Sequence, residues 1–315
     1  MNQLTRVLGI QYPIIQGGMG NISSSILTAA VSEAGALGTI GAGTMGTEEV
    51  EKIILDTKKR TSKPFSLNVA LGVSLDPKDI LRLAVKHRLS TVTLSAGNPA
   101  PFIPRLKEEG IKVIVVTASV KHALKAEAAG ADIVAAEGYE AAGINSSLET
   151  TTLALIPQIV QALTIPVAAA GGIGDGRGLA AMLVLGASGV QMGTRFIATK
   201  EAPFHDTYKQ KILAASDHDT VIVGRTAGKI RRLLKSPYAD GLLLAEKNGI
   251  SPEEFALLTT EEQHKLGALQ GDEEHGFMNG GQISGLITDI PSVRELVTRM
   301  VQEAKGQLTG ASQMI

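Results

Sequence analysis

Eight short apolar runs punctuate this 315-residue chain, and segments of helical period separate them. The runs are PIIQGGM at 13–19, LGTIGAG at 37–43, PFSLNVAL at 64–71, STVTLSAG at 90–97, KVIVVTAS at 112–119, DIVAAEG at 132–138, PVAAAGGI at 166–173 and GVQMGTRF at 189–196. Between them lie stretches such as TEEVEKIILDTKKR, whose apolar residues recur every three or four positions, as one face of a helix requires. Glycine recurs where helix should give way to strand, in EAGALG, EEGIKV, AAGADIV and LGASGV. A left-handed residue there closes the last helical turn, so the repeats predict matching loops. Eight βα units predict an α/β fold, a (β/α)8 TIM barrel, with a doubly wound open sheet as the alternative.

The stretch 205–275 breaks this rhythm. It shows no recognisable strand, while SPEE at 251–254 places a serine cap, a proline and two acids where a helix should start. The expectation is a barrel made of 1–204 and 276–315, interrupted after its eighth strand by a small helical insertion that serves as a lid or in oligomerisation.

Composition narrows the function. Hydrophobic residues at 44% and charged residues at 19% suit a chain with a sizeable core. A net charge of -1 and 3% aromatics argue against nucleic acid and anionic membrane as partners. With no cysteine, thiol nucleophiles, disulfides and thiolate metal sites are excluded. No run of 18 apolar residues and no signal-like start is present, so a soluble cytoplasmic protein without metal is expected, with a homodimer as the assembly considered.

The densest glycine stretch, IPVAAAGGIGDGRG at 165–178, forms the loop after the seventh predicted strand. In such barrels ligands sit at the C-terminal strand ends, and the last two loops commonly grip a phosphate. Gly171, Gly172, Gly193 and Thr194 would supply amides and a hydroxyl, and Asp175, Gly176 and Arg177 open a helix whose N-terminus attracts anions. The other strand ends offer Gly18, Met19, Gly20, Asn68, Gly97, Thr117, Glu137 and Gly143. This lining lacks lysine, which argues against Schiff-base chemistry. It suits a flat, mostly uncharged cofactor with a phosphate tail, such as FMN, and a sugar-phosphate barrel enzyme without redox chemistry is the alternative. Asp217, His218 and Asp219 read as a solvated loop, His205 as a helix start and His275 as a surface residue. His87, His122 and His264 read as residues of solvated helix faces, and Glu137 as either a ligand contact or a loop-orienting group.

QGGMG at 16–20, FSLNV at 65–69, AGNP at 96–99, AEGYEAAG at 136–143, AAGGIGDGRG at 169–178, QMGTRF at 191–196 and GGQISGL at 280–286 fall in one order along nearly the whole chain. Together they resemble the motifs of the flavin-dependent family that contains nitronate monooxygenase (2-nitropropane dioxygenase) and enoyl-ACP reductase II. The resemblance implies an FMN barrel reduced by NADH or NADPH. It places Gly18, Met19 and Gly20 beside the flavin, Asn68 in hydrogen bonding to it, Gly171, Gly172, Gly193 and Thr194 on its phosphate, and Gln282 at the ring's border. AGNP and GTRF look more like the reductase branch, whose substrate is an acyl thioester, on acyl carrier protein among other carriers. One position departs from the pattern. Where the family reads glycine, glycine, histidine, this chain reads Ala142, Gly143 and Ile144, followed by Asn145 and Ser146. Isoleucine cannot carry a proton, so Asn145 and Ser146 become the candidates for proton delivery. A nitronate or quinone acceptor, and a flavin-binding protein without turnover, are the alternatives.

Overall fold

The computed structural model describes residues 2–313. After a short helix, α1 (Gln3–Leu8), the chain alternates β1 (Ile14–Gln16), α2 (Ser25–Glu33), β2 (Gly38–Gly41), α3 (Thr47–Arg60), β3 (Phe65–Ala70) and α4 (Pro77–Lys86). It continues through β4 (Thr91–Ser95), α5 (Ile103–Glu108), β5 (Lys112–Thr117), α6 (Val120–Ala128), β6 (Ile133–Glu137), a two-residue β7 (Gly143–Ile144) and α7 (Thr152–Ala162). Then come β8 (Val167–Ala170), α8 (Gly176–Val184), β9 (Gly189–Met192) and a one-turn α9 (Thr194–Ile197). Each of the eight expected runs forms a strand that stops short of its predicted C-terminal end, because the last residues turn into the ligand-side loops.

The eight strands pair in parallel in the order β1-β9-β8-β6-β5-β4-β3-β2. A bridge between Ile15 and Leu37, with Gln16 N donating to Leu37 O at 2.8 Å, joins β2 back to β1 and closes the barrel. The strands are buried on both faces, as a parallel sheet wrapped by helices demands. Alternate side chains go in and out: Val134 and Ala136 pack under the helices, while Ile133 and Ala135 fill the barrel with Ile15, Leu37, Ile114 and Ala168. Leu4 and Leu8 of α1 plug the bottom of this interior. The four predicted loop glycines, Gly35, Gly110, Gly130 and Gly186, all have φ between +73° and +99°.

The eighth helix of the barrel comes late. It is α14 (Val293–Ala311), packed on α8 and α2, and what separates it from β9 is the inserted segment. That segment holds α10 (Asp206–Ala214), α11 (Pro237–Lys247), α12 (Pro252–Leu258) and α13 (Glu261–Gln270), as the helical expectation requires, and Ser251 and Glu254 form the capping box at α12. It also holds a hairpin, which corrects the strand-free reading. β10 (Thr220–Val223) and β11 (Arg231–Leu234) pair antiparallel, and β11 pairs onward with β7. Four-residue strands are too short to display alternation, and RRLL reads as one turn of a charged helix. The turn is enforced by Gly224, whose φ is +82° and whose added Cβ would lie 2.1 Å from the Lys229 carbonyl oxygen. Tyr208 and Ile212 of α10 pack into the barrel core, so the insertion's separate small core begins beyond them, with Val223, Leu233, Leu242, Phe255 and Phe277.

Candidate active site

Along β6 the inward positions run Ile133, Ala135, Glu137, so the apolar barrel interior ends in a carboxylate at the ligand side. β3 and β4 also bring polar side chains to the cavity, Asn68 and Ser95, with Asn68 Nδ2 donating to Ser95 Oγ at 3.2 Å. Glu137, Asn68, Ser95 and Gln191 thus form a polar floor beneath a cavity of about 1220 Å3. Glu137 is half-buried at the end of the apolar barrel interior, and desolvation pushes its carboxyl up to about 7. Single-ligand pockets usually span about 300–1,000 Å3, so this cavity has room for two molecules.

Of the residues singled out from sequence, Gly18, Met19, Gly20, Asn68, Gly97, Thr117, Glu137, Gly143, Asn145, Ser146, Gly171, Gly172, Gly193 and Thr194 all line this one cavity. Gln282 does not. It is exposed, its main-chain N–H bonds Glu140 O at 3.0 Å, and its neighbours Gly281 and Ile283 reach the cavity instead. Gly18 is there because nothing larger fits: a Cβ would lie 2.6 Å from Asn68 Cβ.

One wall has unspent donors. Among the described residues, no acceptor takes the amide of Gly172 or Gly193, and a Cβ on Gly193 would enter open space. Thr194 Oγ1 accepts from Gly281 N at 3.0 Å, which leaves its own hydrogen free. The α8 terminus, by contrast, is already satisfied: Gly178 N bonds Asp175 and Gly176 N bonds Glu303, both at 3.0 Å. The protein's own carboxylates thus cap α8, and the free donors on this wall are the amides of Gly172 and Gly193 and the Thr194 hydroxyl. Thr117 Oγ1, on the opposite side, is buried without a partner. Free amides beside a polar floor and an orphaned hydroxyl fit a ring ligand with a phosphate tail.

Asn145 spends its side-chain amide on its own loop, whereas Ser146 accepts one bond there and keeps its hydroxyl hydrogen. Asn145 Nδ2 donates to Ala141 O at 2.9 Å and to Tyr139 O at 3.2 Å, and Ser146 Oγ accepts from Leu148 N. Glu140 caps α7, accepting from Thr152 N at 2.9 Å and from Thr152 Oγ1 at 2.9 Å. The insertion clamps this loop through the β7–β11 ladder, through Asn145 N donating to Ile230 O, and through Arg232, which donates to Tyr139 O.

The wall facing that loop comes from the insertion and escaped sequence reading. Tyr208, Arg231, Glu261, His264 and Asn279 all line the cavity. His264, expected on a solvated face, is 2% exposed; its ring stacks on Phe277 at 5.3 Å, which pulls that face of α13 inward. Burial works against the charge on Glu261, yet His264 and Arg231 hold its carboxyl below the usual range. The spacing Glu261-x-x-His264 was the available signal, but its partner Asn279 arrives only through the return segment. The other histidines lie as expected or nearly so. His205 caps α10, accepting from Thr207 N at 3.2 Å, while His275 and His122 are exposed and His87 is half-buried against Glu51. Asp217 and His218 are exposed.

The nitronate monooxygenase family model matches residues 1–82 and 71–303. FabK (enoyl-ACP reductase II) from Thermotoga maritima superposes with a TM-score of 0.96 at 39% identity, covering 100% of this chain and 99% of that one. A nitroalkane oxidase from Streptomyces ansochromogenes superposes with a TM-score of 0.85 at 26% identity, covering 98% and 99%. Among curated relatives, the Mycobacterium tuberculosis (3aS,4S,5R,7aS)-5-hydroxy-7a-methyl-1-oxo-octahydro-1H-indene-4-carboxyl-CoA dehydrogenase is 32% identical, over 99% of this chain and 98% of its own. A probable nitronate monooxygenase from Staphylococcus haemolyticus is 34% identical over 98% of each.

Proposed function

The chain belongs to the nitronate monooxygenase family, an oxidoreductase family, and we propose that it is an FMN-dependent enzyme that uses NADH or NADPH to reduce an enoyl thioester. The observation that supports the cofactor is the pair of unspent amides at Gly172 and Gly193, set across the polar floor from Asn68 and the orphaned Thr117 hydroxyl. Those amides with Thr194 would hold the phosphate, and Gly18, Met19, Gly20 and Asn68 would meet the ring. FMN, when bound, accepts a hydride from a nicotinamide and passes it to an acceptor. The protein's own part is to orient both ligands, exclude water and supply a proton. A thioester acceptor is favoured because the FabK and carboxyl-CoA dehydrogenase relatives are named for thioester chemistry, and the cavity has room beyond one ligand. Acyl carrier protein or coenzyme A would present that substrate.

A purified preparation tests this in two steps. Its absorbance spectrum and extracted cofactor should be those of FMN, and a colourless protein that takes up no FMN would end the proposal. Reduced anaerobically with NADH or NADPH, it should then be reoxidised by a 2-enoyl thioester faster than by a nitronate or a quinone. The reverse order would move the assignment to the family's other branch.

A further inference from the structure

Reduction of an enoyl thioester breaks the carbon–carbon π bond and makes two C–H bonds. The β-carbon takes a hydride, with both electrons supplied by NAD(P)H through the cofactor, and the α-carbon takes a proton from an acid that solvent later refills. Position 144, on the β6 loop at the cavity, is isoleucine and carries no proton, so the acid must come from elsewhere in the cavity. Glu140 is consumed in capping α7, and a guanidinium such as that of Arg231 is too weak an acid. The Tyr208 hydroxyl donates to Asn279 O, and burial raises its pKa, which makes it a far weaker acid than an imidazolium. His122 and Lys125 are exposed at the outer rim, and Glu261 is held ionised. Glu137 belongs to the floor, on the inner face of β6 beside Asn68 and Gln191.

We propose that His264 of the insertion is the general acid that protonates the acceptor, and that Glu261 and Asn279 position its ring; this rests on the enoyl-thioester reading. Three features place it. Asn279 lies against Gly143, whose Cβ would stand 3.6 Å from Asn279 Cγ, and its Nδ2 is 3.0 Å from His264 Nε2. The imidazole therefore sits one hydrogen bond from the loop that carries Ile144. Glu261 Oε2 is 3.5 Å from His264 Nδ1, accepts from Asn21 N at 3.4 Å, and would meet a Cβ on Gly20 at 3.0 Å. Glu261, His264 and Asn279 thus form a hydrogen-bonded chain along one wall of the cavity, from the β1 loop to the β6 loop.

The surroundings suit both states of the ring. When Nε2 is unprotonated it accepts from Asn279 Nδ2. Asn279 Oδ1 is buried without a partner, so turning the amide over gives a protonated Nε2 its acceptor. A protonated Nδ1 faces the Glu261 carboxylate in either case. The charged or titratable groups near the ring are Glu261 on its own helix, Arg231 on β11, stacked on the same Phe277 at 5.2 Å, and Tyr208 on α10.

The test compares His264→Gln, Glu261→Gln and Glu137→Gln with wild type, after circular dichroism shows that each is folded. Histidine-labelled protein, without acceptor, is examined first by ring-nitrogen NMR. His264 should show a protonated Nδ1, and Glu261→Gln should move that resonance; a ring indifferent to Glu261→Gln removes the positioning role. Anaerobic stopped-flow then separates flavin reduction from reoxidation by a 2-enoyl thioester. His264→Gln should slow reoxidation at least 100-fold, slow reduction less than a tenth as much, and flatten the pH profile of reoxidation. Glu261→Gln should displace that profile along the pH axis. Wild-type reoxidation rates in His264→Gln, or the large loss appearing only in Glu137→Gln, would overturn the proposal. If no enoyl thioester reoxidises the wild type, it is the acceptor assignment that fails, and this step falls with it.

Discussion

The two walls of the cavity are built by different means. On the β8–β9 side the cavity-facing polar groups without a partner are main-chain amides, at Gly172 and Gly193, and the nearby cation Arg195 is turned away to Asp289. On the insertion side they are side chains, His264, Glu261, Arg231 and Asn279, drawn from a segment with its own small core. An amide cradle needs only a backbone path, which the barrel strands fix locally. Side-chain chemistry placed on an appended segment can change without disturbing the barrel. The division suggests why relatives of such similar fold are named for nitronates, nitroalkanes and thioesters.

The largest effect should come from the amide wall. Gly172 has φ of +72°, and its Cβ would touch Glu140 Cβ at 3.4 Å, so Gly172→Asp brings a second carboxylate to where the phosphate would lie. Flavin affinity should fall at least 100-fold, which is about 3 kcal/mol. Titration of the folded apoprotein with FMN measures it. Glu261→Gln, on the other wall, should alter the same constant only a few-fold, and equal losses would erase the distinction between the walls.

Next in size is the independence of the insertion. Gly224→Ala forces a Cβ against Lys229 O at a left-handed backbone position and should cost about 2–3 kcal/mol. Hydrogen exchange should quicken across 217–277 and leave barrel strands β2 to β5 as protected as before. Loss of protection in those strands would make barrel and insertion one cooperative unit.

The same contrast governs what could be read from sequence. Barrel strands and their loop glycines were legible because each βα unit carries its own period and its own turn signal, as at Gly35 or Gly186. The amides of Gly172 and Gly193 were legible for that reason too, being fixed by local glycine patterns. The β11–β7 ladder joins residues 231–232 to 143–144, and nothing local marks either strand. His264 looks like any polar residue of EEQHKLGAL; only the return of Phe277 and Asn279 turns it inward. Nothing local marks how α8 is capped either, because Glu303, 127 residues downstream, reaches back to Gly176 N.

The floor should respond to pH more weakly. Its Glu137 carboxyl is raised from 4.5 to about 7, so folding favours the neutral form. That contribution is fully present below the unfolded value near 4.5 and is lost as pH rises through about 7. Ligand-free protein should therefore be less stable at pH 8 than at pH 5 by about 1–2 kcal/mol from this group. Urea unfolding at the two pH values should show Glu137→Gln without that part of the slope, and an unchanged slope would mean that water reaches the floor freely.

The smallest effect concerns how the insertion is held to the β6 loop. Besides the β7–β11 ladder there is a surface cluster, in which Arg225 Nε meets Glu149 Oε1 at 3.0 Å and Arg225 Nη2 donates to Tyr139 Oη at 2.8 Å. Arg225 and Glu149 lower the free energy of each other's charged forms, but both side chains are exposed, at 53% and 42%, so water and salt screen most of the attraction. The ladder offers buried main-chain bonds that salt does not touch. Arg225→Ala should therefore cost less than about 1 kcal/mol, with even that much vanishing in 1 M salt. A loss above 2 kcal/mol in chemical denaturation would move the clamp on the Ile144 loop from the main-chain ladder to this ion cluster, and the insertion would then be fastened by charge rather than by backbone.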